Sequence, residues 1–232
     1  MEIKPIRWSH SQLEKFKNCP WSWKRIYQDK DVPRSETEQS RWGTYVHKSC
    51  EDYVLKGVPL PANVAFAYGA QLQFILPFMA SKQLCLVEPE LGIDEQGTAV
   101  ACDDPRCWSH GFIDILAIET QTAWVGDYKT GKSTYPSTQL DLYAAFVFAH
   151  YPQVMQVNTG YYRLQHKRVD SAVRTRAQAP ELLQSYRTTY ANLLSAVASN
   201  NFPKVRGSLC GWCEVLDCEK NTARARIERN QA

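Results

Sequence analysis

Asp114, Asp127 and Lys129 are the side chains whose types and spacing could do chemistry. Asp114 lies in Gly111-Phe-Ile-Asp-Ile-Leu116, and Asp127 and Lys129 lie in Val125-Gly-Asp-Tyr-Lys-Thr-Gly-Lys132. Side chains alternate along a strand, so Asp127 and Lys129 share a face. Glu119-Thr-Gln-Thr122 reads as the tight connection of a hairpin. With the turn centred between Thr120 and Gln121, Glu119 faces Thr122, Ile118 faces Ala123, and Asp114 falls opposite Asp127. Directly opposed residues have Cβ atoms about 4.5–5.5 Å apart. Two carboxylates and one ammonium therefore converge on a small patch.

The neighbours make that patch costly. Ile113, Ile115 and Ala117 fall on one face, and Phe112, Leu116 and Ile118 on the other with Asp114. A strand apolar on both faces is usually covered on both sides. Two like charges in so dry a place repel, and one tends to protonate. A divalent cation removes the conflict. Mg²⁺ or Mn²⁺ suits two aspartates plus a backbone carbonyl, here that of Tyr128. Such an ion makes water acidic enough to attack a phosphodiester. Lys129 would orient that water or stabilise charge in the transition state. Taken alone, Asp-x-Lys also fits a plain structural ion pair.

The elements that must position these groups are legible in outline. Ser11 and Glu14 fit a capping box at the start of a first helix, which ends at Asn18-Cys19-Pro20. Pro20 can open a second helix, with Trp23 and Tyr27 on one face. Residues 28–40 read as loop. Helices are expected over 40–56, carrying His47, and over 62–80, with Gly57-Val-Pro-Leu-Pro61 between them. The period then shortens, and 84–93, 98–102, 111–118 and 123–129 read as strands. A helix over 136–150 carries Gln139 and Tyr143 at i, i+4, and a strand over 156–164 follows. Pro180 opens a long helix to about residue 199. The expected fold class is α/β (α+β), with helices flanking a mixed, mostly antiparallel central sheet.

The order Gly43-x-x-x-His47, Gly111-Phe-Ile-Asp114, Asp127-Tyr-Lys-Thr-Gly131, Gln139-x-x-x-Tyr143 resembles the RecB-like branch of the PD-(D/E)XK nuclease superfamily. The opening Ser9-x-Ser-x-Leu-x-x-Phe-x-x-Cys-Pro20 is similar to that branch too, so the likeness runs from about residue 9 to 218. It implies a restriction-endonuclease-like core. It also implies metal binding by His47, Asp114 and Asp127, catalysis assisted by Lys129, and DNA positioned by Gln139 and Tyr143. Ile113 stands where the superfamily's nominal proline precedes the first aspartate. Glu90, on an earlier strand, is either one more carboxylate or a solvated strand residue.

Eight cysteines stand at 19, 50, 85, 102, 107, 210, 213 and 218. With no export signal at Met1-Glu-Ile-Lys-Pro5, reduced thiols and metal ligation are expected rather than disulfides. Cys210, Cys213 and Cys218 share one loop and need a fourth ligand from afar; Cys19, at a helix end, is the best placed. The same one-plus-three arrangement occurs in the AddB nuclease domain and in CRISPR-associated adaptation nucleases. That resemblance implies a 4Fe-4S cluster joining the N- and C-terminal segments. Zn²⁺ in the same thiolates and buried thiols are the alternatives. Cys102 and Cys107 with His110 could form a second metal site, although Asp103-Asp-Pro-Arg106 reads as a plain turn. Cys50 and Cys85 read as small buried hydrophobes.

Hydrophobic residues make up 44% of the 232 and charged residues 22%, which excludes a disordered chain. The net charge of +3 neither requires nor excludes a polyanion. No run of about 18 apolar residues spans a membrane. The expectation is a single nuclease domain over 1–232, with a helical part over 1–80, a catalytic sheet over 84–164, and a C-terminal helix and cysteine tail over 180–232. It would be cytoplasmic, or in the host cytoplasm if phage-encoded, and an exonuclease on single-stranded DNA or duplex ends. A CRISPR integrase or a recombination protein is a possible partner. A nuclease fold whose chemistry is silent and which only binds or inhibits is the competing class. Trp21, Trp23, Lys24, Arg25, Tyr161, Tyr162, Arg163 and the tail arginines Arg224, Arg226 and Arg229 are candidate DNA contacts, by base stacking and phosphate neutralisation.

Overall fold

The computed structural model describes residues 5–33, 37–131 and 136–223; Lys132, Arg224, Arg226 and Arg229 lie outside the described residues. The chain divides into two compact units, one made of 37–184 and the other of 1–36 together with 185–232.

In the first segment of the discontinuous unit, α1 (His10–Asn18) is followed by α2 (Pro20–Trp23) and a π-helical turn (Lys24–Gln28). The cap of α1 is Ser9, whose N–H donates to Gln12 Oε1 at 3.1 Å. It therefore falls two residues before the expected Ser11–Glu14 pair. The same S-x-x-E/Q logic holds in the earlier frame because Leu13 and Phe16 are the residues to be buried. Trp8 stacks on Tyr186 at 5.0 Å and Trp23 on Phe202 at 6.1 Å, which forms this unit's aromatic core.

The other unit opens with α3 (Glu38–Lys56) and α4 (Ala62–Ala80). Eight strands follow: β1 (Leu84–Val87), β2 (Glu90–Ile93), β3 (Ala99–Val100), β4 (Ser109–Phe112), β5 (Ile115–Glu119), β6 (Thr122–Lys129), β7 (Gln156–Arg163) and β8 (Arg168–Thr175). Helix α5 (Thr138–His150) connects β6 to β7, and α6 (Ala179–Leu182) comes after β8; α7 (Gln184–Ser199) belongs to the discontinuous unit from residue 185 onward. The larger sheet has the order β1-β5-β6-β7-β8, with every neighbouring pair antiparallel except β6–β7. A smaller sheet has the order β3-β2-β4. This is the mixed, mostly antiparallel sheet with flanking helices that the sequence predicts. Val64, Leu72, Leu76 and Met79 of α4 and Val46 of α3 are buried in one cluster with Ile115, Ala117 and Tyr128 of the sheet. Each such aliphatic side chain contributes about 1.5–3 kcal/mol by leaving water.

Three expectations are corrected. The segments 84–93 and 111–118 are each two strands, broken at Glu88-Pro89 and at Ile113-Asp114, where the chain passes between the two sheets. Phe112 consequently belongs to the small sheet and is half exposed instead of lying beside Asp114. β8 was not anticipated; it is an edge strand with Val169 and Val173 exposed, so no apolar face marks it. The long final helix is interrupted at Leu183.

Gly126, in the middle of β6, is required by a close approach. A Cβ there would lie 2.3 Å from Cε2 of Tyr162 and 2.8 Å from Cγ2 of Ile115.

Candidate active site

The hairpin register is the one read from the sequence, with Glu119 facing Thr122, Ile118 facing Ala123 and Ile115 facing Gly126. The ladder stops there, and Asp114 sits in the bend just before β5. The break still keeps one register with the first strands, because Val87 faces Ile115 and Glu90 faces Phe112. Glu88 therefore opposes Asp114, and its N–H donates to the Asp114 carbonyl at 3.2 Å. Glu88 has φ 51°, a left-handed conformation that costs a non-glycine residue about 1–2 kcal/mol. Glu88, Asp114 and Asp127 thus stand at the same end of three adjacent strands.

The polar contacts are specific. Asp114 Oδ2 accepts from the Tyr128 N–H at 2.6 Å. His47, on α3, donates from Nε2 to the Tyr128 carbonyl at 2.9 Å, because a carbonyl can only accept. That bond turns Nδ1 toward Asp114 Oδ1 at 3.4 Å and Glu88 Oε1 at 3.8 Å. Burial alone would lower the His47 pKa, but hydrogen bonds to Asp114 and Glu88 outweigh it and raise the value to about 10. Ligand atoms of His47, Glu88 and Asp114 all lie within 4.8 Å of one another. A histidine whose far N–H is held by a backbone carbonyl is the usual arrangement of a metal-binding imidazole.

Asp127 is not in that trio. Its Oδ1 lies 2.6 Å from Lys129 Nζ, and its side chain is almost wholly buried. Burial first, then the Asp114 carboxylate, pushes its pKa up to about 7, against the pull of Lys129. Lys129 Nζ also donates to Gln139 Oε1 at 3.1 Å, and Gln139 Nε2 donates to the Tyr143 hydroxyl at 2.8 Å. Tyr161 donates to the same Gln139 oxygen at 3.3 Å. The structure thereby brings His47, Asp114, Asp127, Tyr128, Lys129, Gln139 and Tyr143 into one network. Glu88 is the member that sequence reasoning missed. The carboxylate considered instead, Glu90, is on β2 of the small sheet, where Oε1 meets His110 Nδ1 at 3.2 Å.

The aromatic and basic candidates for DNA contact are engaged elsewhere. Tyr161 and Trp23 are buried, and Arg163 is buried and ion-paired with Asp170 at 3.2 Å. Arg25 is paired with Asp31 and Asp217, and Trp21 lies under Lys24, Arg25 and Lys204.

Within the discontinuous unit, Cys19, Cys210, Cys213 and Cys218 line one cavity of about 280 Å³. Cys19 caps α1 and precedes the proline that opens α2, so two helix ends fix it. The Gly207 N–H donates to Cys210 Sγ at 3.4 Å, and the Ser22 hydroxyl lies 3.8 Å from Cys213 Sγ.

The family profile of the PD-(D/E)XK nuclease superfamily matches residues 7–73 and 87–218. No curated protein matches the sequence. Among solved structures, SSO0001 is 16% identical, with a TM-score of 0.49 over 95% of this chain and 88% of that one. A protein of Eubacterium rectale provisionally named an exonuclease is 13% identical, with a TM-score of 0.51 over 88% and 86%. The latter likeness concerns the fold. No described helix is long and apolar enough to cross a membrane.

Proposed function

The chain belongs to the PD-(D/E)XK nuclease superfamily, and from that premise we propose that it is a divalent-metal-dependent deoxyribonuclease of the RecB-like, iron–sulfur type. Its preferred substrate on this reading is single-stranded DNA or a duplex end. The match covers parts of both compact units, which supports reading them as one nuclease domain.

The observation that carries the proposal is the convergence of His47, Glu88 and Asp114 beside the buried Asp127–Lys129 pair. Nuclease folds of this superfamily act on DNA and use divalent metals. The donor set fits Mg²⁺ or Mn²⁺: carboxylates with one imidazole, at the mouth of a sheet. A cation bound there supplies an acidified water and neutralises charge on the phosphate. Asp114, Asp127 and Glu88 would hold the ion, and His47 would be kept in the tautomer that presents Nδ1 to the same place. Asp127 holds Lys129 at the site, and Gln139 aims the ammonium from the other side. Lys129 then stabilises the negative charge that develops on the phosphate oxygens. Tyr143 is buried and holds Gln139, so its role on this reading is to position that amide beneath the DNA backbone.

On the same reading Cys19, Cys210, Cys213 and Cys218, which line one cavity, would hold a 4Fe-4S cluster, with one zinc ion in the same four thiolates as the alternative.

The test is cleavage of 5′- and 3′-labelled single- and double-stranded DNA with Mg²⁺, with Mn²⁺ and with chelator. Metal-dependent shortening from an end is expected. DNA binding with no cleavage under any of these conditions would overturn the proposal in favour of a silent nuclease fold.

A further inference from the structure

Glu90, Cys102 and His110 form a second cluster of ligand atoms, all within 4.8 Å of one another, on the small sheet. Three separate pieces of chain bring them there. On β2, Gly92 lies opposite His110 of β4 and opposite Val100 of β3. Glu90 precedes Gly92 by two residues and shares its face. Cys102 follows Val100 by two, in the turn that leaves β3, where Asp104 N–H donates to the Ala101 carbonyl at 3.0 Å and the Cys107 N–H to the Asp104 carbonyl at 2.9 Å. The three donors thus gather around Gly92, where no side chain stands between them. A Cβ on Gly92 would lie 3.1 Å from Cys102 Sγ and 3.2 Å from Cys107 Sγ.

The donor types narrow what such a ring would hold. A thiol with an imidazole and a carboxylate is a mixed S, N, O set, which suits zinc and its borderline-soft relatives and not Mg²⁺ or Ca²⁺. Zinc bonds of about 2.0–2.2 Å to nitrogen and oxygen put two ligands of a tetrahedral ion roughly 3.4 Å apart. Glu90 Oε1 and His110 Nδ1 are separated by 3.2 Å. Three ligands from two strands and a turn would cross-link the small sheet. That is what a structural ion does for short strands such as the two-residue β3.

We infer that Glu90, Cys102 and His110 form a binding site for a zinc-class divalent cation, separate from the site at Asp114 and from the four-cysteine cavity. The decisive measurement is cobalt(II) titration of the chelator-treated, fully reduced full chain. A cobalt–thiolate bond gives a near-ultraviolet charge-transfer band. Wild type, Cys102→Ser, His110→Gln and Glu90→Gln are compared with the other two sites intact in every arm, so the fate of the nuclease and cluster readings does not alter the difference. Each of the first two variants should bind one equivalent less than wild type, and Glu90→Gln should bind it more weakly. Equal stoichiometry and affinity in all four proteins would overturn the inference. Should a variant fail to fold, crystals of wild type soaked in zinc keep the question open to an answer. An anomalous peak at the zinc edge touching Glu90, Cys102 and His110 is expected. Its absence at saturating zinc counts against the site.

Discussion

Two demands oppose each other at Asp127. Burial and the Asp114 carboxylate favour its neutral form, while Lys129 favours the charged one. A cation near Asp114 shifts that balance toward charge, so the two aspartates act as one unit. Asp114→Ala and Asp127→Ala should each reduce cleavage to background, and the double variant should be no worse than either single one. Single-turnover rates for the three proteins check this, and near-wild-type cleavage by either single variant would sink the assignment. Lys129→Ala should behave differently, because an ammonium cannot ligate a metal. Its loss should slow the saturated rate by roughly 10²–10³-fold, the usual cost of one transition-state donor, with calorimetric metal affinity retained. A collapse of affinity with the rate preserved would show that Lys129 organises the metal site instead. Strand alternation and a short turn were enough to read Asp114, Asp127 and Lys129 from the sequence. Glu88 was not readable, because its place depends on β1 pairing with β5 across a long connection, and nothing local marks that register.

At the scale of elements, the site exists because paired strands change sheets at one point. Glu88-Pro89 and Ile113-Asp114 interrupt a single antiparallel register, and the freed carboxylates turn toward His47. In the sequence, Glu88-Pro89-Glu90 marks the first break, since a proline cannot donate to a ladder, whereas 111–118 is apolar apart from Asp114, so periodicity alone cannot show the second. Helix α4 was legible at about 62–80, since Pro61 and the preceding Gly57 bound it on one side and the change of period on the other. β6 carries the tightest constraint. The Tyr162 ring lies across Gly126, one residue before Asp127, and a methyl group there would displace both the ring and Ile115. Gly126→Ala should therefore cost about 1–3 kcal/mol of stability, the range for overpacking a filled interior. Urea denaturation provides the measure. Tyr162→Ala, destabilising on its own, should remove most of the penalty of Gly126→Ala when the two are combined. Full additivity of the two losses would mean that the ring is not the obstacle.

For the whole molecule, the informative fact is that residues 1–36 and 185–232 form one compact unit although the whole of the other unit, 37–184, separates them in sequence. Composition and periodicity carry no sign of that union. Only the cysteine spacing does, through three thiols at 210–218 that lack a fourth partner nearby. A cluster held by Cys19, Cys210, Cys213 and Cys218 closes a loop of almost the full chain. By analogy with a disulfide of comparable loop length, closure removes roughly 4–5 kcal/mol of unfolded-state entropy. The role of such a cluster would be structural, since phosphodiester hydrolysis transfers no electron. Anaerobically purified protein should be brown and contain iron and sulfide. Cys19→Ala should lose the colour as completely as Cys213→Ala, because each removes one thiolate from the same cluster. Hydrogen exchange should locate the damage: amides of α1 and of the tail through 223 should lose protection, while those of β5, β6 and β7 keep theirs. Iron, sulfide and zinc contents of wild type and both variants decide between the metals. One zinc per four-cysteine site and no iron would replace the cluster with a zinc tetrathiolate. Full iron in Cys19→Ala would show that the N-terminal segment supplies no ligand, and the entropy argument for joining the two ends would fall with it.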